Sequence, residues 1–488
     1  MRNTYKKSPS VTPDLGGRQQ QKTKNQKPTP IKTDHHSVSG QRPLPAFPAD
    51  QFHPATVTMT SSTSVANLGA LLAEGLKVTT NGASRAYHLA QGLRTGGQAL
   101  PKIGYIGGGH VSFTEAGQWF LRTGECAKIH PLPGHPGYTT LARDQEVIEI
   151  YHPEPYWSAH FKVDIDDDLE AFCKHCDVMY IATGSDSDEE IVEYLRPYKH
   201  LLKDTIMEWV SGNSVAPYAH DILMPLNTFE GSRARNTCRM EDHKSFLKVR
   251  LNGPKKRVVG ASYLEADAKT LRMIAFCHGV LYEYYGNVIN LPHVNNHGSL
   301  HPSAVYDARD LIQRGIPAFL YRDIMGTKAT SQRILKINAW RCGLWKALGS
   351  PIVEDLNGTL SGDYGTNFPN FQETAIRNEP LNRRPQLPPS TDNRMVTQDC
   401  KIVNVFERSI ALAIGYGTAD IDEIIDDCSR MNEEDYMKTG RTLAFLGLPA
   451  DATVEQIRAR FNAPRIPGAF SVVRVSPPSV WAWRYLSF

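Results

Sequence analysis

No run of about twenty apolar residues occurs in this chain, so no segment is expected to cross a bilayer as a helix. The N-terminus has basic residues but no apolar stretch behind them, so no secretory signal is expected. Lysines there outnumber arginines, and prolines interrupt any amphipathic helix, which argues against a mitochondrial presequence. Cysteine is sparse, eight among 488 residues, and scattered from Cys126 to Cys428, unlike a secreted disulfide framework. Free thiols in a reducing, cytoplasmic compartment are expected. Cys173-Lys-His-Cys176 has no second pair at zinc spacing, so it reads as two helix-face cysteines and no metal is expected. A charge excess is also missing, the net charge being +3. Nine Lys and Arg between Arg2 and Arg42 face only Asp14, Asp34 and Asp50, which leaves the rest slightly acidic. With no basic stripe in the part that folds, no nucleic-acid partner is expected.

What is present suits a globular α/β protein: 41% hydrophobic and 22% charged residues, in a chain long enough for two or three cores. Residues 1–65, rich in Gln, Lys, Thr and Pro, read as a disordered basic tail. Residues 66–100 read as a linker or peripheral helix. From Lys102 short apolar runs alternate with helical stretches, the pattern of a parallel sheet. Strands are expected at 102–107, 127–131, 177–183 and 205–210, with a helix over 113–123 ending at Gly124. Ser185 to Glu190 suits a helix N-cap and acidic first turn. Asn252-Gly253 predicts a hairpin between 246–253 and 257–260. Beyond Asn290 the pattern turns helical, at 330–348, 403–414 and 421–431. The Gly-, Asn- and Pro-rich stretch 350–392 reads as a long loop, and 469–488 as a C-terminal tail.

Ile106-Gly107-Gly108-Gly109-His110-Val111-Ser112 falls where the first strand meets the first helix. A dinucleotide's pyrophosphate needs bare backbone at a helix N-terminus, and this strand–turn–helix context supports one here. Gly107 would make the tight turn and Gly109 the close approach, with Gly108, His110 and Val111 completing the loop. Ser112 replaces the usual third glycine. The expectation is a Rossmann-type domain over 101–290, followed by a mainly α-helical substrate domain over 291–468. No carboxylate ends the second strand; His130-Pro-Leu-Pro-Gly-His135 follows instead. That tilts the cofactor from NAD towards NADP, with a histidine or Arg143 near the 2′-phosphate.

His293, His297 and His301 are spaced four apart, but Pro292, Gly298 and Pro302 argue against the helix that would align them as metal ligands. A histidine at a domain junction is the better candidate for acid–base work near neutral pH.

From Lys102 to Arg441 the chain resembles the octopine/nopaline (opine) dehydrogenase family. The likeness rests on the order and spacing of several motifs: the glycine turn, Asp177-Val-Met-Tyr-Ile-Ala with its following acidic helix, Asn296 to His301-Pro302, Asn393-Arg394 to Asp399, and Asp435 to Leu448. The resemblance implies His301 as catalytic histidine, Asp399 as its acid partner and Arg394 as the arginine for a substrate carboxylate. It also implies NAD(P)H-dependent condensation of an amino acid with a 2-oxo acid. A plain ion pair at a helix start is the alternative for Arg394 and Asp399. The basic tail and the 350–392 insertion depart from the family, and the helical part matches less well. The oligomeric state is open, a homodimer being one option. Two other functions stay open: a dehydrogenase of the glycerol-3-phosphate or ketopantoate type, in which Lys328 or Lys336 would serve as acid–base, and a non-catalytic dinucleotide sensor.

A tail with too little apolar surface to fold should contribute nothing to chemistry. Deleting residues 1–65 is expected to leave turnover unchanged; a truncated protein that folds but does not turn over would contradict this.

Overall fold

The computed structural model describes residues 99–153, 156–242, 246–383, 387–464 and 471–479. The expected tail and the linker up to residue 98 lie outside these. Among the described residues the chain builds a nine-stranded sheet in the order β13-β12-β11-β8-β7-β6-β1-β2-β5. Its parallel part comprises β5 (Asp164–Ile165), β2 (Lys128–His130), β1 (Ile103–Ile106), β6 (Val178–Ile181), β7 (Ile206–Trp209) and β8 (Asn227–Gly231). Every residue of β1, β6 and β7 is buried, as expected for strands covered on both faces. Helix α1 (His110–Thr123) follows β1 and ends at Gly124, left-handed at φ 74°, which donates to the Phe120 carbonyl. Helix α2 (Leu169–His175) lies tightly on β1: a Cβ at Gly104 would come within 2.3 Å of Cys176 Sγ. Cys173 and Cys176 are thus buried packing residues, and all eight cysteines are free. The Ser185 stretch begins with a 3-10 turn, and α3 (Asp188–Leu195) follows without a side-chain cap.

Two expectations change here. Asn252-Gly253 is not a hairpin turn. Strand β10 (Leu247–Pro254) runs through it, antiparallel to β9 (Asn236–Asp242), with a register shift between Leu251 and Gly253. The pair supplies a bulge in place of a reversal. With β3 (Ile148–Pro153) and β4 (Tyr156–Phe161), these strands form a second sheet in the order β4-β3-β10-β9. The chain then crosses to the main sheet as β11 (Arg257–Ser262). Helix α4 (Ala268–His278) leads to β12 (Leu281–Asn287), parallel to β11, and β13 (Val473–Val475) adds an antiparallel edge. Part of the expected C-terminal tail is therefore a strand.

The helical part begins with α5 (His297–Gln313), which forms despite Gly298 and Pro302. Proline removes the N–H that would bond to the carbonyl four residues back. That carbonyl, on Gly298, instead accepts from Asn404 Nδ2 at 3.0 Å. The expectation that these residues prevent a helix fails because a side chain distant in sequence replaces the missing donor. Helix α6 (Lys328–Ala347) crosses α5 and carries the buried Arg341, whose guanidinium pairs with Glu407 at 2.6 Å and donates to the carbonyls of Pro292 and Asn295. The stretch 350–392 is not one long loop. It holds α7 (Leu356–Tyr364) and α8 (Phe371–Arg377), capped by Asp355 and Asn370, each accepting a backbone N–H from its helix's first turn. Glycine and asparagine there shape helix ends, while Leu356, Leu360, Phe371 and Ala375 join the large core. Helices α9 (Val405–Ala413) and α10 (Ala419–Met431) complete the layer as expected.

Asn404→Ala should leave the Gly298 carbonyl without its donor. A loss of about 1–3 kcal/mol is expected, the scale of one buried unsatisfied group. Urea unfolding measures it, and an unchanged midpoint would contradict the role assigned to Asn404.

Candidate active site

The turn after β1 is built from local constraints. Gly107 has φ 108°, its N–H donates to the His130 carbonyl at 2.9 Å, and a Cβ there would crowd Thr183 at 2.9 Å. Gly108 is bare for another reason: a Cβ would fall 2.3 Å from the Pro136 carbonyl oxygen, because the loop after β2 folds onto it. At Gly109, the N-cap of α1, a Cβ would meet nothing within 4 Å among the described residues, and no side chain of theirs caps the helix. The first N–H groups of α1 therefore stand behind an open, side-chain-free surface, which fits a pyrophosphate. His110 accepts the Met240 N–H on Nδ1 at 2.9 Å, tying the turn to β9. Val111 is half-buried, and Ser112 is fully buried with no partner for its Oγ among the described residues.

At the end of β2, His130 is engaged by the Asp166 carbonyl and the Tyr194 hydroxyl, and Arg143 pairs with Asp167. His135 is exposed.

His301 lies one turn into α5. Its Nδ1 is 2.7 Å from Asp399 Oδ2. A carboxylate at Nδ1 selects the tautomer protonated there and leaves the Nε2 lone pair for a reacting atom. Asp399 opens a turn of π-helix, Asp399–Asn404, an irregularity frequent at functional sites. The ring of His297 stacks on His301 at 4.9 Å and 13°. Burial, reinforced by the neighbouring His301 and by the positive charges of Arg233, Lys255 and Arg394, holds His297 well below the usual histidine range. That shift favours the neutral form of His297. His293 is separate, packed near Tyr285, and burial lowers it to about 3. The three histidines do not converge, and among the described residues no His, Cys, Asp and Glu cluster is disposed to hold a metal.

Arg394 starts the short helix Arg394–Thr397 and is exposed, with no acid partner among the described residues. Its charge bears on His297 and on Cys238, whose thiol donates to the His110 carbonyl. The expected catalytic trio and the glycine turn thus share one neighbourhood. Several contacts lock it: Gln398 Nε2 donates to Asp186 at 2.8 Å, Asn295 to the Gly212 carbonyl at 3.1 Å, and Arg441 pairs with Asp188 at 3.0 Å. Lys328 and Lys336 are exposed on α6, and Lys336 is held by Asp420 and Glu423.

Sequence reasoning missed Arg233, Lys255, Asp363 and Tyr321. Arg233 and Lys255 are buried and share Asp363, at 2.9 and 3.8 Å. Burial lowers Lys255 to about 8 and raises Tyr321 to about 12. They come from four separate segments, and no local spacing marks them.

No family model matches the chain. Curated relatives do. "Protein ocs" of Agrobacterium tumefaciens is 22% identical over 374 residues, covering 74% of this chain and 99% of that protein. "Vitopine synthase" of Allorhizobium ampelinum is 24% identical over 363 residues, covering 72% and 96%. Among solved structures, octopine dehydrogenase in complex with NADH and agmatine matches with a TM-score of 0.57 at 16% identity, covering 75% of this chain and 99% of that one. The structural match gives the fold, a Rossmann-type domain with a helical domain, and the relatives bear out the resemblance to opine dehydrogenases.

Since a Cβ fits at Gly109 and its backbone is extended at φ −94°, Gly109→Val should fold normally while placing a branched side chain where a pyrophosphate would approach. A large loss of NADH and NADPH affinity is expected in a fluorescence titration. Unchanged affinity would exclude this turn as the cofactor site.

Proposed function

We propose that this relative of the opine dehydrogenases is an NAD(P)H-dependent oxidoreductase acting on CH–NH bonds, which condenses an amino acid with a 2-oxo acid and reduces the product to an N-(carboxyalkyl)amino acid. The observation that carries this reading is the His301–Asp399 pair, 2.7 Å apart, with no hydrogen bond to Nε2 among the described residues, in the neighbourhood of the glycine turn. The dinucleotide, when bound, supplies hydride. This chain's residues would manage protons and position. The amino acid must lose an ammonium proton before its nitrogen attacks the keto carbon, and His301 Nε2 is the available base. The resulting carbinolamine must lose its hydroxyl as water, and the same nitrogen returns the proton. Asp399 fixes the tautomer and stabilises the imidazolium between the two events. Arg394, without an acid partner among the described residues, would grip a carboxylate through its planar fork. Gly107, Gly108, Gly109, His110, Val111 and Ser112 would form the cofactor turn. The lack of an acid at the end of β2 favours NADP, although Arg143 is already committed to Asp167.

The test is turnover with pairs of amino and 2-oxo acids. His301→Ala should lower kcat by about two to four orders of magnitude with cofactor affinity preserved, the usual scale of general acid–base catalysis. Asp399→Asn should act on kcat as well, and the double variant should cost little more than the worse single one. Arg394→Lys should mainly raise a carboxylate substrate's KM. Full activity in His301→Ala, or simple addition of the two losses, would dismantle the dyad.

A further inference from the structure

In the loop that follows β7, Ser214 is buried with φ at 62°. The other described non-glycine residues with positive φ, Met224, Glu433 and Asn462, are exposed and follow helices. Left-handed backbone disfavours a side chain, and buried strain of this kind gathers at functional sites. Glu230 of β8, itself 1% exposed, holds Ser214 there: its carboxylate accepts the N–H groups of Ser214 at 3.1 Å and of Ala216 at 2.7 Å. A Cβ at Gly212 would fall 2.4 Å from Glu230 Cγ, so the loop lies directly on this acid. Burial raises Glu230 to about 7 against those two N–H groups, so a carboxylate kept here costs free energy as well. The other side of the loop meets the helical part. Asn295 Nδ2 donates to the Gly212 carbonyl at 3.1 Å and to Asn213 Oδ1 at 2.7 Å. Asn213 Nδ2 donates to Ser185 Oγ in the turn after β6, and the Ser185 carbonyl accepts from Arg441 at 2.7 Å. Asn295 stands two residues before α5, with His301 one turn inside that helix. Because β1, β6 and β7 are adjacent and parallel, the glycine turn, the Ser185 turn and the Gly212–Ser214 loop follow one another along one edge. Neighbouring strands lie about 4.8 Å apart, which puts Asn213 roughly 10 Å from the glycine turn. A dinucleotide with its pyrophosphate at that turn and its adenosine half towards β2 extends its nicotinamide half towards β6 and β7.

We propose that Asn213 is a positioning residue: by tying the strained loop to Asn295 and Ser185, it fixes the nicotinamide end of the cofactor relative to the helix that carries His301. This rests on the function proposed above and deepens it. Hydride and proton must reach one carbon–nitrogen bond, and their sources sit on different domains. The side-chain amide of Asn213 joins the turn after β6, the loop after β7 and the segment entering α5. Both ends of that amide are engaged in the frame. It therefore acts by placement, without touching the reacting atoms. A misplacement of about 1 Å in such a frame costs up to about a hundredfold in rate.

The first readout needs no turnover. NADPH or NADH, whichever binds more tightly, is bound to an excess of the full chain, and the fluorescence anisotropy of its reduced nicotinamide is followed. The wild type should hold the ring rigidly. Asn213→Ala should keep most of the cofactor affinity, since the glycine turn is untouched, while the anisotropy falls. In turnover the same variant should lose about tenfold to a hundredfold in kcat, with KM for both substrates unchanged. Asn213→Asp still accepts from Asn295 and can accept the Ser185 hydroxyl, so it should restore the anisotropy and most of kcat. A merely structural Asn213 would not move the anisotropy at equal affinity. If Asn213→Ala does not fold, Glu230→Gln, which releases one of the two loop N–H groups, carries the same comparison. Unchanged anisotropy, loss of cofactor binding in Asn213→Ala, or failure of the wild type to bind either cofactor overturns the inference. An Asn213-dependent rigidity of the nicotinamide in a protein that condenses no amino acid with a 2-oxo acid would sink the proposed condensation and leave the positioning role standing. Full kcat in Asn213→Ala would do the reverse.

Discussion

The guanidinium of Arg341 fixes the geometry on which the candidate site depends. It is 1% exposed in its side chain and forms a two-point pair with Glu407, at 2.6 and 2.7 Å. Its remaining donors reach the carbonyls of Pro292 and Asn295, at 3.0 and 2.8 Å, and Trp345 donates to the same Glu407 at 2.9 Å. Those carbonyls belong to the segment that enters α5, so the pair sets where His297 and His301 begin their helix. A buried ion pair contributes little net stability after desolvation, but removing one partner strands the other. Its value here is definition: a non-helical segment without regular backbone pairing is held by one side chain that forks in three directions. From that anchor, Asn295 reaches across to Gly212, and Gln398 reaches Asp186 from the far side.

How much of this was legible in the sequence depended on distance along the chain. The glycine turn was readable because its requirements are local: Gly107 needs positive φ, and Gly109 precedes a helix with no side-chain cap. Strands β1 and β6 were readable as short apolar runs, while β2, Lys-Ile-His, gave a poor signal. The start of α5 was misread because proline and glycine rules are local too, while the compensation comes from Asn404, 106 residues away. The same logic explains residues 350–392, where cap residues resembled loop residues because both break helices. The second sheet leaves no local mark, and its Asn-Gly predicts a turn, because a bulge and a hairpin use the same residues. The His301–Asp399 contact spans 98 positions, and only the family resemblance suggested it. Arg233, Lys255 and Asp363 carried no signal, since only the fold brings these distant positions together.

Neutral and charged groups are divided unevenly around the proposed reaction centre. His297 is kept uncharged by burial and by the cations around it, while His301 has a carboxylate to stabilise its proton. Two imidazoles stacked at 4.9 Å would repel if both were protonated. The surroundings remove that conflict by making one of them a flat, polar but neutral surface.

The short strand β13 has a consequence for how the molecule behaves in company. It pairs with Tyr282, Glu283 and Tyr284 of β12, and Arg474 reinforces the join through Glu283. Without it, β12 would offer a row of unsatisfied backbone groups on the rim of a large sheet, a template for any passing extended chain. A few residues near the C-terminus thus act as a selvage, the finished edge that keeps a woven cloth from catching on its neighbour. Losing them would show first as self-association at high concentration.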